Sequence, residues 1–222
     1  LGISGLIGSG RTELISSIFG TYEGSKTGEC IFNGKKINIK SAKEALKTGI
    51  SMVPEDRKQD GIIADMSVEK NMTLSNLDSY TKAADYVDTY REKTDVRRYI
   101  DLLKIKTTSE DLAIKNLSGG NQQKVVLAKN LLVNPKIIIL DEPTRGVDVG
   151  AKYEIYKNIV ELAERGISVI MVSSELPEVL GISDRIIVMH EGEIKGEFIN
   201  KDVTQEMIME AAIVGGRNES GN

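Results

Sequence analysis

A glycine-rich segment near the start of the chain constrains the fold more than any other feature. Gly5-Leu6-Ile7-Gly8-Ser9-Gly10-Arg11-Thr12 follows a short apolar strand and precedes a helix with apolar residues at Leu14, Ile15, Ile18 and Phe19. Strand, glycine-rich turn and helix in this order predict a phosphate-binding P-loop, in which backbone N–H groups and the helix dipole hold phosphate oxygens. The Thr12 hydroxyl can also bind Mg²⁺. The predicted phosphate ligands are Gly5, Gly8, Ser9, Gly10, Arg11 and Thr12.

Arg11 stands where the P-loop pattern has a lysine. Lysine supplies a compact point charge, whereas arginine carries a longer planar group, so the exchange is not conservative. We therefore expect the loop to bind phosphates but to position them differently. Taken alone, a glycine-rich segment between a strand and a helix is also compatible with a plain tight turn.

Two adjacent carboxylates follow another strand. Ile137–Leu140 is apolar on both faces, as a central parallel strand should be, and it leads directly into Asp141 and Glu142. In α/β sheets, ligands bind at the carboxyl ends of the strands. Asp141 can therefore hold Mg²⁺ through water, and Glu142 can polarise an attacking water as general base. A solvated acidic pair is the alternative, but the P-loop favours the catalytic interpretation.

The rest of the pattern predicts an α/β fold. Strands separated by helices predict a mostly parallel sheet with helices on both faces, and Asn33-Gly34 predicts a hairpin in an antiparallel β portion. A closing hairpin is predicted around His190, which we interpret as an exposed turn residue. Helical spacing of apolar residues predicts an inserted helical subdomain. The single domain divides into an α/β core (1–60 and 119–200), the helical subdomain (61–118) and a C-terminal tail (201–222).

A second glycine-containing helix start lies well beyond the first. Leu117-Ser118-Gly119-Gly120-Asn121-Gln122-Gln123 opens a helix that Ser118 can cap, and the two glycines leave backbone N–H groups accessible. On its own, this segment is typical of an ordinary capped helix. In a chain that also carries a P-loop and a carboxylate pair at a strand end, it is a second candidate phosphate site.

These motifs, in this order, resemble those of ATP-binding cassette (ABC) ATPases over essentially the full chain. Leu117–Gln123 is similar to the family signature, Ile137–Glu142 to its Walker B strand, and Gly146-Val147-Asp148 to its D-loop. The resemblance implies an ABC ATPase core that uses ATP and Mg²⁺. It also implies head-to-tail pairing, in which each ATP lies between the P-loop of one domain and the signature of the other. The residues expected to face that second nucleotide are Ser118, Gly119, Gly120, Gln122 and Asp148.

Longer stretches resemble the second ABC half of monosaccharide importer ATPases of the ribose type. They are Glu55-Asp56-Arg57-Lys58, Leu117–Lys124, Asp141–Lys152 and Val172–Leu180. Those proteins carry two ABC halves in one chain, so we expect a first half to precede Leu1. The resemblance also implies transmembrane permease subunits that contact the surface near Asp56–Met66, and a periplasmic or extracellular sugar-binding protein that acts indirectly. It places the chain on the cytoplasmic face of the cell membrane.

Three positions depart from the usual family pattern. Glu55 replaces a glutamine, and its carboxylate can bind Mg²⁺ but cannot donate an amide hydrogen bond. Ser174 replaces the switch histidine and is assigned, with Glu142, to the catalytic residues. Together with Arg11, these exchanges predict a degenerate nucleotide site in this chain, while Ser118 completes a working site opposite. Alternatively, the exchanges are tolerated variants and both sites hydrolyse ATP.

Composition narrows the function classes. The 222 residues have a formal net charge of −4, which argues against nucleic acid as a partner. No apolar run reaches the ~18 residues of a membrane span. The main rival function is a regulatory nucleotide-binding module that never hydrolyses ATP, favoured by Arg11 and Ser174 and opposed by Glu142. A soluble ABC ATPase of DNA repair or translation is disfavoured by the lack of a coiled-coil insertion and by the importer-like motifs.

Overall fold

A computed structural model describes residues 1–81 and 86–215. Its strands are β1 (Gly2–Gly5), β2 (Cys30–Phe32), β3 (Lys35–Ile37), β4 (Ile50–Val53), β5 (Ile137–Asp141), β6 (Ser168–Val172), β7 (Arg185–His190) and β8 (Glu193–Ile199). Its α-helices are α1 (Arg11–Phe19), α2 (Ala42–Thr48), α3 (Val68–Thr73), α4 (Thr89–Leu102), α5 (Gly119–Leu131), α6 (Val149–Glu164), α7 (Leu176–Ile182) and α8 (Gln205–Glu210). Short 3₁₀ or π turns cover Arg57–Gly61, Leu74–Ser79, Ile114–Asn116 and Ala211–Gly215.

The sheet topology confirms the predicted fold class. Six strands follow the order β4-β5-β6-β1-β7-β8, and β2 pairs with β3 in a separate antiparallel hairpin. β1 is parallel to both β6 and β7, whereas β8 is antiparallel to β7. One prediction is wrong in detail: His190 is the half-buried last residue of β7, paired with Glu193, and not an exposed turn residue.

The chain divides into two compact units. Among the described residues, the first unit covers 1–50, 139–142 and 169–215, and the second covers 51–81, 86–138 and 143–168. The predicted functional division at 61 and 119 stays a prediction. Of the predicted C-terminal tail, 216–222 lie outside the described residues, as do 82–85 of the predicted helical subdomain.

In the first unit, helix α1 packs as its apolar spacing predicts. Ile15 and Phe19 are buried against the unit's interior, next to strand β1 with its buried Ile3. The helix ends at Gly20, whose φ of 85° suits glycine, and the Gly20 N–H donates to the Ser16 carbonyl. The helix therefore holds the glycine-rich loop at a fixed position at the end of β1.

In the second unit, helices α3, α4 and α5 share a core. Its fully buried side chains include Val68, Met72, Val96 and Val125. Ser67 caps α3 by accepting a hydrogen bond from the Lys70 N–H at 3.2 Å. Of these helices, α3 and α4 lie within 61–118, where the helical subdomain is predicted. Among the described residues, no helix combines the length and apolar character needed to cross a membrane.

Two carboxylates are buried side by side between α3 and α4. The fully buried Glu92 accepts hydrogen bonds from Lys70 Nζ at 3.2 Å and from Thr73 Oγ1 at 2.7 Å. The carboxylate of Glu69, a residue 3% exposed, has longer contacts, to Lys70 Nζ at 3.5 Å and to Lys93 Nζ at 3.9 Å. Burial, followed by the charge of Glu92, raises the pKa of Glu69 above its usual value. The ionised Glu69 therefore opposes folding.

We expect Glu69→Gln to stabilise the protein at pH 7–8 and to have little effect near pH 4. A group whose pKa is raised by folding favours the native state when protonated, and this contribution is lost as the pH rises from the unfolded pKa through the folded one. The amide does not titrate, so the difference in melting temperature from wild type should grow with pH. Glu92→Gln is the matched control: it removes the charge that faces Lys70 and should destabilise the protein. Equal shifts for Glu69→Gln at all pH values would contradict this account.

Candidate functional site

The glycine-rich loop between β1 and α1, in the first unit, depends on two glycine conformations. Gly5 has a φ of 154°, and a Cβ there would lie 2.3 Å from the Met189 carbonyl oxygen. Gly10, at φ 90°, precedes α1 without a capping side chain. The Gly192 N–H donates to the Ser9 carbonyl at 2.9 Å and ties the loop to the β7–β8 turn. Because no side chain caps α1, the N–H groups of its first turn are left for an anionic ligand.

Buried polar atoms in this loop fit a phosphate ligand. Ser9 is 3% exposed and Arg11 is 9% exposed. Within the described chain, Ser9 Oγ and Arg11 Nη1 are buried without a hydrogen-bond partner. A buried donor without an acceptor costs free energy, so both atoms favour an acceptor-rich ligand. Thr12 is exposed, which leaves its hydroxyl accessible.

The structure brings Arg11, Glu142 and Ser174 together. Glu142 follows β5 with a φ of 45°, an uncommon value for a residue with a side chain. Its carboxylate accepts a hydrogen bond from the Ser174 N–H at 2.8 Å and lies 3.7 Å from Arg11 Nη2. Burial raises the pKa of Glu142, while hydrogen bonding from Ser174 and the charge of Arg11 oppose the rise. The predicted base is thus held at the phosphate loop by a backbone donor and a guanidinium.

Two residues that support this arrangement, Ser173 and Glu178, were not predicted as site residues from the sequence. Ser173 is fully buried; its hydroxyl donates to the Glu178 carboxylate at 2.8 Å and accepts from the Glu175 N–H at 3.0 Å. These bonds fix the turn that aims the Ser174 N–H at Glu142. The only signal in the sequence was the Ser173-Ser174 pair at a strand end, which does not reveal the partner on α7.

Two of the predicted Mg²⁺ ligands, Thr12 and Asp141, lie in the first unit. Asp141 is 2% exposed at the end of β5, and Thr12 offers a hydroxyl. Mg²⁺ takes few protein oxygens and retains waters and substrate phosphates as ligands. Glu55 belongs to the second unit, where its carboxylate pairs with the Arg145 side chain. Its role as a Mg²⁺ ligand stays a prediction.

In the second unit, Ser118 caps α5 and is held by Asn121. Ser118 Oγ accepts hydrogen bonds from the Asn121 N–H at 3.5 Å and from Asn121 Nδ2 at 2.9 Å. Asn121 Oδ1 accepts from the Lys106 N–H at 2.8 Å, which fixes the orientation of the amide. Because the amide nitrogen only donates, the Ser118 hydroxyl is left to donate its own hydrogen to another acceptor.

The other residues predicted at this loop differ in position. Ser118, Gly120 and Asp148 line one cavity of about 310 Å³, together with Lys106, Asn121 and Lys124 among others. The Gln122 amide instead donates to the carbonyls of Ile114 and Leu117, at 3.3 and 3.2 Å, and holds the loop that precedes α5. Asp148 also caps α6 by accepting from the Ala151 N–H at 3.0 Å. Gly119 contacts Arg57.

Comparison with known sequences gives strong matches. A family model described as ABC transporter matches residues 1–145. The xylose import ATP-binding protein XylG of Pectobacterium atrosepticum is 56% identical over 213 residues, which cover 96% of this chain and 42% of that protein. The protein of the same name from Escherichia coli strain K12 is 54% identical with the same coverage. The chain thus spans about two fifths of the length of these curated relatives.

Solved structures of ATP-binding cassettes superpose on the chain. The ATP-binding cassette MJ1267 of an ABC transporter matches with a TM-score of 0.76 at 26% identity, covering 95% of this chain and 83% of that one. The ATP-binding cassette MJ0796, solved as a dimer in a post-hydrolysis state with ADP and Pi, matches with a TM-score of 0.74 at 25% identity. That match covers 91% of this chain and 85% of that one.

Proposed function

Because this chain belongs to the ABC transporter family of ATP-binding domains, we propose that it is one of two ATP-binding halves that power a monosaccharide importer. Its phosphate loop binds ATP weakly and hydrolyses it slowly, and its Ser118 loop completes a more active site on the other half. The observation that carries the proposal is the convergence of Arg11, Glu142 and Ser174 at the phosphate loop. The match to an ATP-binding cassette solved as a dimer supports the pairing.

In the chain's own site, each residue has a distinct role. The loop N–H groups and Arg11 bind phosphate oxygens, and Glu142 orients the attacking water and accepts its proton. Ser174 holds the Glu142 carboxylate through its backbone N–H but has no imidazole to contact the γ-phosphate. The Arg11 guanidinium lies 3.7 Å from the Glu142 carboxylate, and its positive charge makes Glu142 a weaker base. Mg²⁺ held by Thr12 and Asp141 would neutralise phosphate charge.

At the opposite site, this chain supplies donors and no base. Ser118 presents a hydroxyl hydrogen, and the start of α5 presents the N–H groups near Gly119 and Gly120, to the γ-phosphate of the ATP held by the other half. Preorganised donors of this type stabilise the charge that develops during phosphoryl transfer. Asp148 lies in the same cavity as Ser118 and supports that assignment.

The names of the relatives support the choice of sugar, and the resemblance to monosaccharide importers suggests the protein partners. Their names favour xylose, whereas the sequence motifs suggested ribose. A transmembrane permease that contacts Asp56–Met66, a sugar-binding protein outside the membrane, and a location on the cytoplasmic face complete the proposal. A second candidate function is a regulatory module that binds ATP without hydrolysing it. The contact between Arg11 and Glu142 favours this function, because a carboxylate paired with arginine is less available to accept a proton from water.

We expect sugar-dependent ATP hydrolysis by the assembled importer. The full-length ATPase is reconstituted with its permease and sugar-binding protein in vesicles, and phosphate release is followed with xylose, with ribose and without sugar. Xylose should stimulate hydrolysis more than ribose does. Hydrolysis that no monosaccharide changes would contradict the importer assignment, and stronger stimulation by ribose would reverse the choice of sugar.

A further inference from the structure

The segment Glu55-Asp56-Arg57-Lys58 carries contacts that the proposed function does not use. Arg57 Nη1 donates to the Arg145 carbonyl at 2.7 Å, and Arg57 Nη2 donates to the Gly146 carbonyl at 3.2 Å. Glu55 pairs with the Arg145 side chain. All these residues belong to the second unit. We refer to Glu55, Arg57, Arg145 and Gly146 as the clasp, which joins two segments that are distant in sequence.

The clasp also contacts the Ser118 loop (Leu117–Gln123), which we call the signature loop from here on. A Cβ built on Gly119 would lie 2.8 Å from Arg57 Nη2 and 3.2 Å from the Gly146 carbonyl oxygen. The Arg57 guanidinium therefore packs against the first residue of α5 while it holds the turn at Gly146. That turn leads through the buried Val147 to Asp148, which caps α6. One side chain thus contacts both loops that are assigned to the opposite ATP site.

The segment that carries Arg57 is itself fixed in place. Asp56 accepts hydrogen bonds from the backbone N–H groups of Lys58 and Gln59, at 2.8 and 3.2 Å. Lys129 Nζ donates to the Gly61 carbonyl at 3.1 Å and anchors the end of the turn to α5. A displacement of this segment therefore acts on the Gly146 turn through Arg57 and on α5 through Gly61.

We propose that Arg57 is a positioning residue that holds the Gly146 turn and the signature loop in one geometry. The inference rests on the proposed function, because the geometry it sets is that of the opposite ATP site. An arginine suits this role because its planar group presents two donors to two successive carbonyls. A lysine ammonium cannot reproduce that pair, although it keeps the charge.

The test measures ATP turnover and sugar uptake of the assembled importer with Arg57→Lys and Arg57→Ala. We expect kcat to fall about tenfold or more, with the KM for ATP changed by less than about twofold, because misplaced donors act on the transition state. Arg97→Ala is the matched control: Arg97 also donates two hydrogen bonds, to Glu110 at the surface of the same unit. Melting temperatures accompany each assay, and Arg57→Lys serves if Arg57→Ala does not fold.

A double-mutant cycle with Gly119→Ala measures the coupling between the two positions in kcat, which general destabilisation would not produce. The new Cβ should displace Arg57 Nη2 and break its bond to Gly146, so Gly119→Ala should lower kcat in the wild-type background and have less additional effect once Arg57 is Ala. Additive effects would overturn the proposal, as would turnover of both Arg57 variants within about twofold of wild type. A loss matched by Arg97→Ala would overturn it too.

Ser118→Ala separates failure of this proposal from failure of the function on which it rests. If Ser118→Ala lowers turnover and the Arg57 variants do not, the opposite site stands and the positioning role of Arg57 falls. If Ser118→Ala has no effect, the assignment of the opposite site falls, and the role of Arg57 falls with it.

Discussion

We expect Ser118→Ala to lower ATP turnover of the assembled importer about 100-fold, the usual effect of losing one preorganised donor to a developing oxyanion. The Ser118 hydroxyl accepts from Asn121 Nδ2 at 2.9 Å, which directs its own hydrogen away from that amide and toward an incoming acceptor. Alanine removes this donor and also the cap of α5. Loss of a cap alone costs only about 1 kcal/mol of stability, so the two effects can be separated.

The control for Ser118→Ala is Ser41→Ala. Ser41 caps α2 by accepting from the Glu44 N–H at 3.3 Å, in a part of the chain assigned to no site. We expect a similar small loss of melting temperature with turnover near that of wild type. Phosphate release at saturating ATP measures both variants. Unchanged turnover in Ser118→Ala would refute the assignment of this loop to the opposite nucleotide.

Gly120→Asp tests the same loop through charge, but it also introduces a steric clash. A Cβ on Gly120 would lie 2.5 Å from the Ala151 Cβ on α6. Gly120→Asp and Gly120→Ala should therefore both be compared in an Ala151→Gly background, which relieves the clash. In that background, Asp should abolish turnover by placing a negative charge against phosphate, while Ala should retain much more. Equal losses would mean that packing, and not charge, accounts for the effect.

Much of the fold was predictable because its signals are local. The spacing of Ile15 and Phe19 defines the buried face of α1, and Gly20 ends the helix where the pattern indicated. Asn33-Gly34 forms the predicted hairpin turn, with positive φ at both residues. The apolar run before Asp141 delivers two carboxylates to the end of a strand. In each case, neighbouring residues alone determine the geometry.

The support of the site was not predictable because it depends on partners far along the chain. Arg57 reaches the Arg145 carbonyl across 88 positions, and the Ser174 N–H reaches Glu142 across 32. The family resemblance places Ser174 at the position of the switch histidine, but only the fold shows that its backbone N–H donates to Glu142. Gln122 was predicted to bind nucleotide, yet its side-chain amide donates hydrogen bonds to the Ile114 and Leu117 carbonyls. A buried polar side chain takes partners that tertiary packing supplies.

The second large expected effect is an inequality between this chain and the proposed other half. Glu142→Gln should leave most of the steady-state turnover, whereas the matching Glu→Gln change in the other half should abolish it. Under the proposed function, Glu142 is a weakened base: Arg11 lies 3.7 Å from its carboxylate, and Ser174 offers a backbone N–H but no imidazole. Each of these losses acts where charge develops, so each slows the chemical step more than it weakens ATP binding.

Glu142→Gln is a clean substitution for this purpose. Its amide oxygen can still accept from the Ser174 N–H, which the carboxylate receives at 2.8 Å, so the turn that carries Ser174 keeps its hydrogen bond. The substitution removes the carboxylate, and with it the proton acceptor and the negative charge that faces Arg11. Steady-state phosphate release should therefore stay near wild type, while a single-turnover assay with the other half inactivated should lose its residual slow phase. If Glu142→Gln removes most of the steady-state activity by itself, the site formed by Arg11, Glu142 and Ser174 is a main catalytic site and not a degenerate one.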